Sequence, residues 1–250
     1  MDPIQLSAII LFCIFGGAVL GMWLRGLLPK HHLDAETKDL IKLGVALIGT
    51  MAAMLLGLLV ASAKSAYDAR RSELTQMAAD TILVDRALAH YGPETGEARG
   101  LLKATVAGML EAIWGINGKG RSAPAPQTRN EIVFDKIQEL VPQNDSQRAI
   151  KSQVGSMAFN LGQMRWLLFE QSGSSISTPF LVVVVFWLST LFVSFGLFAP
   201  RNATAFCTLL ISALSVAGAL FLILELDHPF SGLIQISSAP LRNALSVLGR

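Results

Sequence analysis

Four runs of this chain, residues 3–24, 43–63, 171–200 and 202–224, contain no Asp, Glu, Lys or Arg. Each is near or beyond the roughly 20 apolar residues that a helix needs to cross the hydrocarbon core of a bilayer. A helix also satisfies its backbone hydrogen bonds within its own segment, which lipid demands of any span. The third run opens with Gln-Ser-Gly-Ser-Ser, a loop-like start, so its crossing begins near Thr178 and Pro179, where a proline suits the first helical turn. The reading is an all-α membrane protein with spans at about 4–26, 43–63, 178–199 and 203–225. With 52% apolar and 15% charged residues, the chain has more apolar surface than one globular core can hide.

The charges crowd instead into an insert between the second and third spans, residues 64–170, which the periodicity predicts to be a small helix bundle. Leu74, Met77, Thr81, Val84, Leu88 and Tyr91 step by threes and fours, the spacing of a packing seam. Ile150, Val154, Met157, Leu161, Met164 and Leu168 form a second stripe, Leu102, Val106, Met109, Ile113 and Ile116 a third, and Phe134, Ile137 and Val141 a shorter fourth. Gly92-Pro93 breaks the first helix, and the Gly- and Pro-rich stretch 118–126 reads as a linker between two helical hairpins. No strong break lies between Leu43 and Tyr91, so span two is expected to leave the membrane as one helix of roughly 70 Å. A short polar link joins spans one and two, with Asp34 placed to cap the second. Residues 227–250 are set apart as an amphipathic tail, expected along the membrane surface or a neighbouring subunit.

The N-terminus lacks a basic n-region and a cleavage motif, so the first span is expected to be a retained anchor. Orientation rests on a nearly balanced count of cations. Arg25, Lys30, Lys38, Lys42 and Arg201 fall on one side, and Lys64, Arg70, Arg71, Arg165, Arg242 and Arg250 on the other. The second set is taken as cytoplasmic, which puts the insert and both termini inside the cell.

A net charge of +2 with no concentrated basic patch gives no case for nucleic acid. Cys13 and Cys207 lie in apolar runs and indicate neither a disulfide framework nor a metal site. Adjacent His31 and His32 lack zinc-ligand spacing. The segment Gly-Ile-Asn-Gly-Lys-Gly-Arg-Ser from Gly115 has the wrong spacing for a phosphate loop and no preceding strand. No nucleophile sits in a catalytic motif, so neither an enzyme nor a cofactor or metal is expected.

Gly49, Ala53, Gly57 and Ala61 recur every four residues on span two, as Gly17 and Gly21 do on span one. Such spacing lets helix backbones approach closely, whether within one subunit, between subunits or beside a pore. Leu56 and Val60 join the span-two group as candidate pore or packing positions. Lys64, Arg70 and Arg71 follow as pore-mouth cations or as ordinary positive flanking residues. Glu225, Asp227 and His228 close span four as a boundary anchor or a functional cluster, with Pro229, Phe230 and Gly232 forming a turn after them.

Ala-Met-Leu-Leu-Gly-Leu-Leu-Val-Ala-Ser-Ala-Lys-Ser at 53–65 and Leu-Asp-His-Pro-Phe-Ser-Gly-Leu-Ile-Gln-Ile-Ser at 226–237 resemble the bestrophin-like family of bacterial membrane proteins. The resemblance implies an inner-membrane homo-oligomer, a pentamer in bestrophins proper, that passes anions such as chloride with span two lining the pore. Pro229-Phe230-Ser231-Gly232 is similar to the Pro-Phe-Gly segment of bestrophins, with an inserted serine. The acids that follow it there are absent from residues 233–248, so a calcium clasp is not carried over. Span two also has no phenylalanine, which leaves Leu, Ile, Met and Val to form any apolar constriction. The alternative is a non-conducting scaffold whose insert binds a partner protein through the seam containing Val84 and Leu88.

Overall fold

The structure, a computed structural model, describes residues 3–29, 34–115, 128–170, 178–200 and 202–249. Lys30, His31, His32, Ile116, segment 116–122, the 118–126 linker, the loop-like opening of the third run, Arg201 and Arg250 lie outside them. The described residues hold helices and no strand: α1 (Pro3–Leu27), α2 (Ala35–Tyr91), α3 (Gly96–Trp114), α4 (Thr128–Glu139), α5 (Asp145–Glu170), α6 (Thr178–Phe198), α7 (Ala203–Asp227) and α8 (Ala239–Val247). Four of these, α1, α2, α6 and α7, are long and apolar enough to cross a membrane. The chain is therefore an integral membrane protein.

Two compact units are formed, one by Met1–Ala66 with Ser174–Asp227, the other by Tyr67–Gly173 with His228–Arg250. In the first, α1 packs on α6 and α7. The α1–α6 crossing is close because glycines lie on both helices: a Cβ at Gly21 would run into the Val193 carbonyl, and one at Gly196 into the Ala18 carbonyl. At Gly17 a Cβ would come within 2.9 Å of the Ser189 carbonyl oxygen. In lipid, where apolar surface gains nothing by leaving its solvent, such backbone approach supplies the dispersion contacts that hold helices together. Ile10, Ile14 and Ala18 of α1 are buried beside it with Val184, Leu188 and Phe192 of α6.

The second unit is the expected bundle. All six residues of the Leu74–Tyr91 seam are buried, and the stripes of α3 and α5 pack against them. A fully buried leucine such as Leu74 or Leu88 contributes about 2–3 kcal/mol relative to an exposed one. Asp34 Oδ1 accepts from the Thr37 N–H at 2.8 Å and caps α2 at its start. At the other end, the Thr95 hydroxyl donates to the Leu88 carbonyl at 2.7 Å, where Gly92-Pro93 stops the helix.

Two expectations are corrected. The buried α4 positions are Val133 and Ile137, followed by the partly buried Leu140 just past the helix, and not Phe134, Ile137 and Val141, because α4 ends at Glu139 and leaves Val141 exposed beyond it. The tail is not set apart: residues from His228 onward belong to the second unit, where α8 packs on α3. Leu241, Ala244 and Leu248, its apolar side, are buried in the bundle core. The far end is held by polar contacts as well. The buried Asp85 carboxylate accepts from Arg99 Nε and Nη2 at 2.8 and 3.0 Å and from the Gly249 N–H at 3.3 Å, and Lys103 Nζ donates to the Leu248 carbonyl at 3.1 Å. Gly249 adopts φ 82°, a left-handed conformation that favours glycine.

Burial by itself raises the Asp85 carboxyl, but the Arg99 guanidinium and the Gly249 N–H outweigh it and hold the group below its ordinary value.

Gly21→Ala is expected to lower stability by about 1–3 kcal/mol through overpacking, read as a fall in thermal unfolding temperature in mild detergent. Gly16→Ala, whose added Cβ meets nothing within 4 Å, should leave that temperature nearly unchanged. Asp85→Asn removes the carboxylate charge that Arg99 faces and is expected to cost about 2–3 kcal/mol, since Arg99 keeps some of its side chain in water. A carboxyl lowered in the folded state adds stability above its unfolded pKa, near 3.8, and loses it as pH falls through the folded value. Denaturation curves of the wild type between pH 7 and pH 3 should show that acid-side loss, and the Asp85→Asn protein should show a smaller one.

Candidate functional site

Helix α2 differs from the other spans in how little of it the chain covers. Only 11% of its most apolar window is buried, against 33% for α1 and 28% for both α6 and α7. One face, with Ala52, Leu59 and Ala63, packs into the membrane-unit core. The rest is bare, and at 100° per residue it divides in two. Leu43, Leu47, Met54 and Leu58 form an exposed ridge of large side chains with Ala61 in line with Leu43, while Ala53, Gly57 and Val60 are exposed along a flatter strip.

The span-two candidates therefore do not share one environment. Gly49 is half-buried, its Cβ position 3.9 Å from Leu191 Cδ2, and Leu56 is half-buried at the edge of the core. Gly57 has nothing within 4 Å of a Cβ built on it. Gly17 and Gly21 meet the α6 backbone; on α2 the same four-residue spacing gives only an ordinary side-chain contact at Gly49 and open space at Gly57.

The three cations that follow also separate. Lys64 and Arg71 are exposed, whereas Arg70 is only 5% exposed, because consecutive helical residues point about 100° apart. Arg70 lies four residues before Leu74 and faces inward with the seam, so it is a buried cation and not a charge at an exit. Arg165 on α5 is a second buried cation in the same unit, and burial lowers its guanidinium. Lys64, Arg70 and Arg165 each take part in polar or electrostatic interactions.

At the end of α7, Glu225 and Asp227 are buried at 1% and 2% exposure, and both are engaged in interactions. A solvated anchor at the membrane boundary would leave them in water. The turn that follows belongs to the insert unit. The Ser231 N–H donates to the His228 carbonyl at 3.1 Å, and the Ile236 N–H to the Pro229 carbonyl at 2.8 Å. Gly232, at φ 89°, allows the reversal. Trp114 locks the turn to α3: its Nε1 donates to the Ile236 carbonyl at 3.0 Å, and its ring meets Phe230 edge-on with centroids 6.0 Å apart. No sequence spacing links the buried Asp85 and Arg165 with the half-buried Arg99; an acid beside Val84 in an apolar seam was the available signal.

Val84 and Leu88 are covered by their own chain, which removes the surface on which the scaffold alternative relied. No curated protein and no solved structure matches the chain. A family model described as the Bestrophin-like domain matches residues 12–241, which takes in most of the first span, the other three spans and the insert, and the chain thus belongs to the Bestrophin-like family.

Proposed function

We propose that the protein assembles with copies of itself into a ring and conducts anions such as chloride through a pore lined by α2. The observation that carries this reading is the bare membrane face of α2: a span without charge, covered on one side only, in a family of channel-like membrane proteins. The strip of Ala53, Gly57 and Val60, bordered by Ala61 on one side and Leu56 on the other, is flat enough for close approach of a neighbouring helix or for a narrow water path. Apolar side chains on such a path gate by dewetting. Exposed Lys64 and Arg71 concentrate anions where α2 leaves the membrane. The proposal takes a bacterial inner membrane as the location, with the insert and both termini in the cytoplasm.

Purified protein in planar bilayers is expected to give single-channel steps whose reversal potential follows the chloride gradient. No steps, or a reversal potential that follows cations, would remove the anion channel. Arg71→Glu inverts an exposed charge and should lower the anion-to-cation permeability ratio by roughly two- to fivefold at low salt, with the effect fading as salt rises. An unchanged ratio at low salt would take Arg71 off the conduction path.

A further inference from the structure

The insert exposes a second seam that its own core does not use. On α5 the outward positions Ser152, Ser156, Phe159, Gln163 and Trp166 step by four, three, four and three, and all are exposed, Phe159 by 66% and Trp166 by 59%. This is the repeat by which one helix packs on another, on a face where a solvated helix carries scattered charge. It carries none. From Ser152 to Leu168 the only charged residue of α5 is Arg165, which is buried. Depletion of charge around exposed aromatic rings marks the core of a protein interface.

A lipid surface fits this face poorly. A helix lying on a membrane flanks its apolar side with Lys and Arg that reach the headgroups. Lys151, the nearest such residue, donates instead to the Gln138 and Leu140 carbonyls at 2.7 and 2.8 Å.

The same unit presents a complementary strip. On the insert half of α2, Ala69, Ser72, Gln76, Ala79 and Leu83 are exposed, uncharged and spaced by three, four, three and four. Phe159 and Trp166 are seven residues apart, as are Ser72 and Ala79, with Gln163 and Gln76 at the matching intermediate positions. Setting Gln163 against Gln76 brings each aromatic ring over Ser72 or Ala79 when the helices run parallel, and within one residue's rise of them when they run antiparallel. A polar pair inside such a seam fixes register. Gln76 Nε2 donates to Asp80 Oδ1 at 2.9 Å, which uses the amide's donor side and leaves a carbonyl oxygen as an acceptor for a second amide.

We propose that the outer face of α5 in one copy seats on the outer face of α2 in the next, with Gln163 opposite Gln76. The contact is head-to-tail, since each copy offers a different face on its two sides, and it repeats around a ring. This inference rests on the homo-oligomer reading above and adds the faces that meet.

The test uses full-length protein in its membranes with Cys13 and Cys207 replaced by alanine. Gln76→Cys and Gln163→Cys are introduced singly and together, followed by mild oxidation and a non-reducing gel. The double variant is expected to give a ladder of covalent multimers, the two singles co-expressed a dimer, and either single alone only monomer. Dimers from Gln76→Cys alone would place α2 against α2 and overturn the proposal. So would a disulfide closed within one chain, or labelling of Gln163→Cys by a membrane-dissolved reagent but not by an aqueous one. Absence of any cross-link in a particle that remains oligomeric by size overturns these faces and spares the ring. A monomeric particle removes both.

Discussion

Everything in this structure depends on one helix meeting two solvents. The inward positions of α2 keep the same three-and-four spacing from Ala52, Leu59 and Ala63 in the membrane unit to Leu74, Met77, Val84 and Leu88 in the insert. What changes is the opposite side. In the membrane half it is Leu, Met, Ala and Gly, and in the insert half charges and small polar residues enter around Ser72, Gln76 and Ala79. Backbone hydrogen bonding closes the helix in either medium. It says nothing about what the side chains face. The α1–α6 pair has resolved that with interlocked glycines, whereas the outward side of the membrane half of α2 is covered by none of the described residues.

The insert is closed by the segment that follows α7. Pro229 and Gly232 reverse the chain, Trp114 fixes the reversal to α3, and the Asp85–Arg99 pair receives the other end of the segment at Gly249. The Pro-Phe-Ser-Gly motif is therefore a structural corner in this protein. A calcium clasp needs acids, and the residues between Gly232 and Gly249 contain none. What the corner does is bring Ile236, Leu241 and Leu248 into the bundle core, at the cost of burying one carboxylate that a guanidinium then neutralises.

Span positions and three of the four stripes were legible in the sequence, because absence of charge over about 20 residues and a three-and-four apolar repeat each have one economical explanation. Other features were not. Gly17-x-x-x-Gly21 and Ala53-x-x-x-Gly57 have the same spacing and opposite surroundings, since spacing describes a face and never its neighbour. The amphipathic pattern of the tail likewise announced one apolar side without saying that α3 covers it. Asp85 and Arg99 pair across the helix break at Gly92, which no linear motif encodes. Arg70 was recoverable: extending the Leu74 seam back by four residues lands on it, whereas Arg71 falls outside.

The central claim is that copies of the same chain cover the bare side of α2, and the most direct measurement is the native mass of the particle in mild detergent. The account predicts a closed assembly whose mass is a whole multiple, three or more, of the 26.8 kDa chain. A stable particle with the mass of one chain would contradict it.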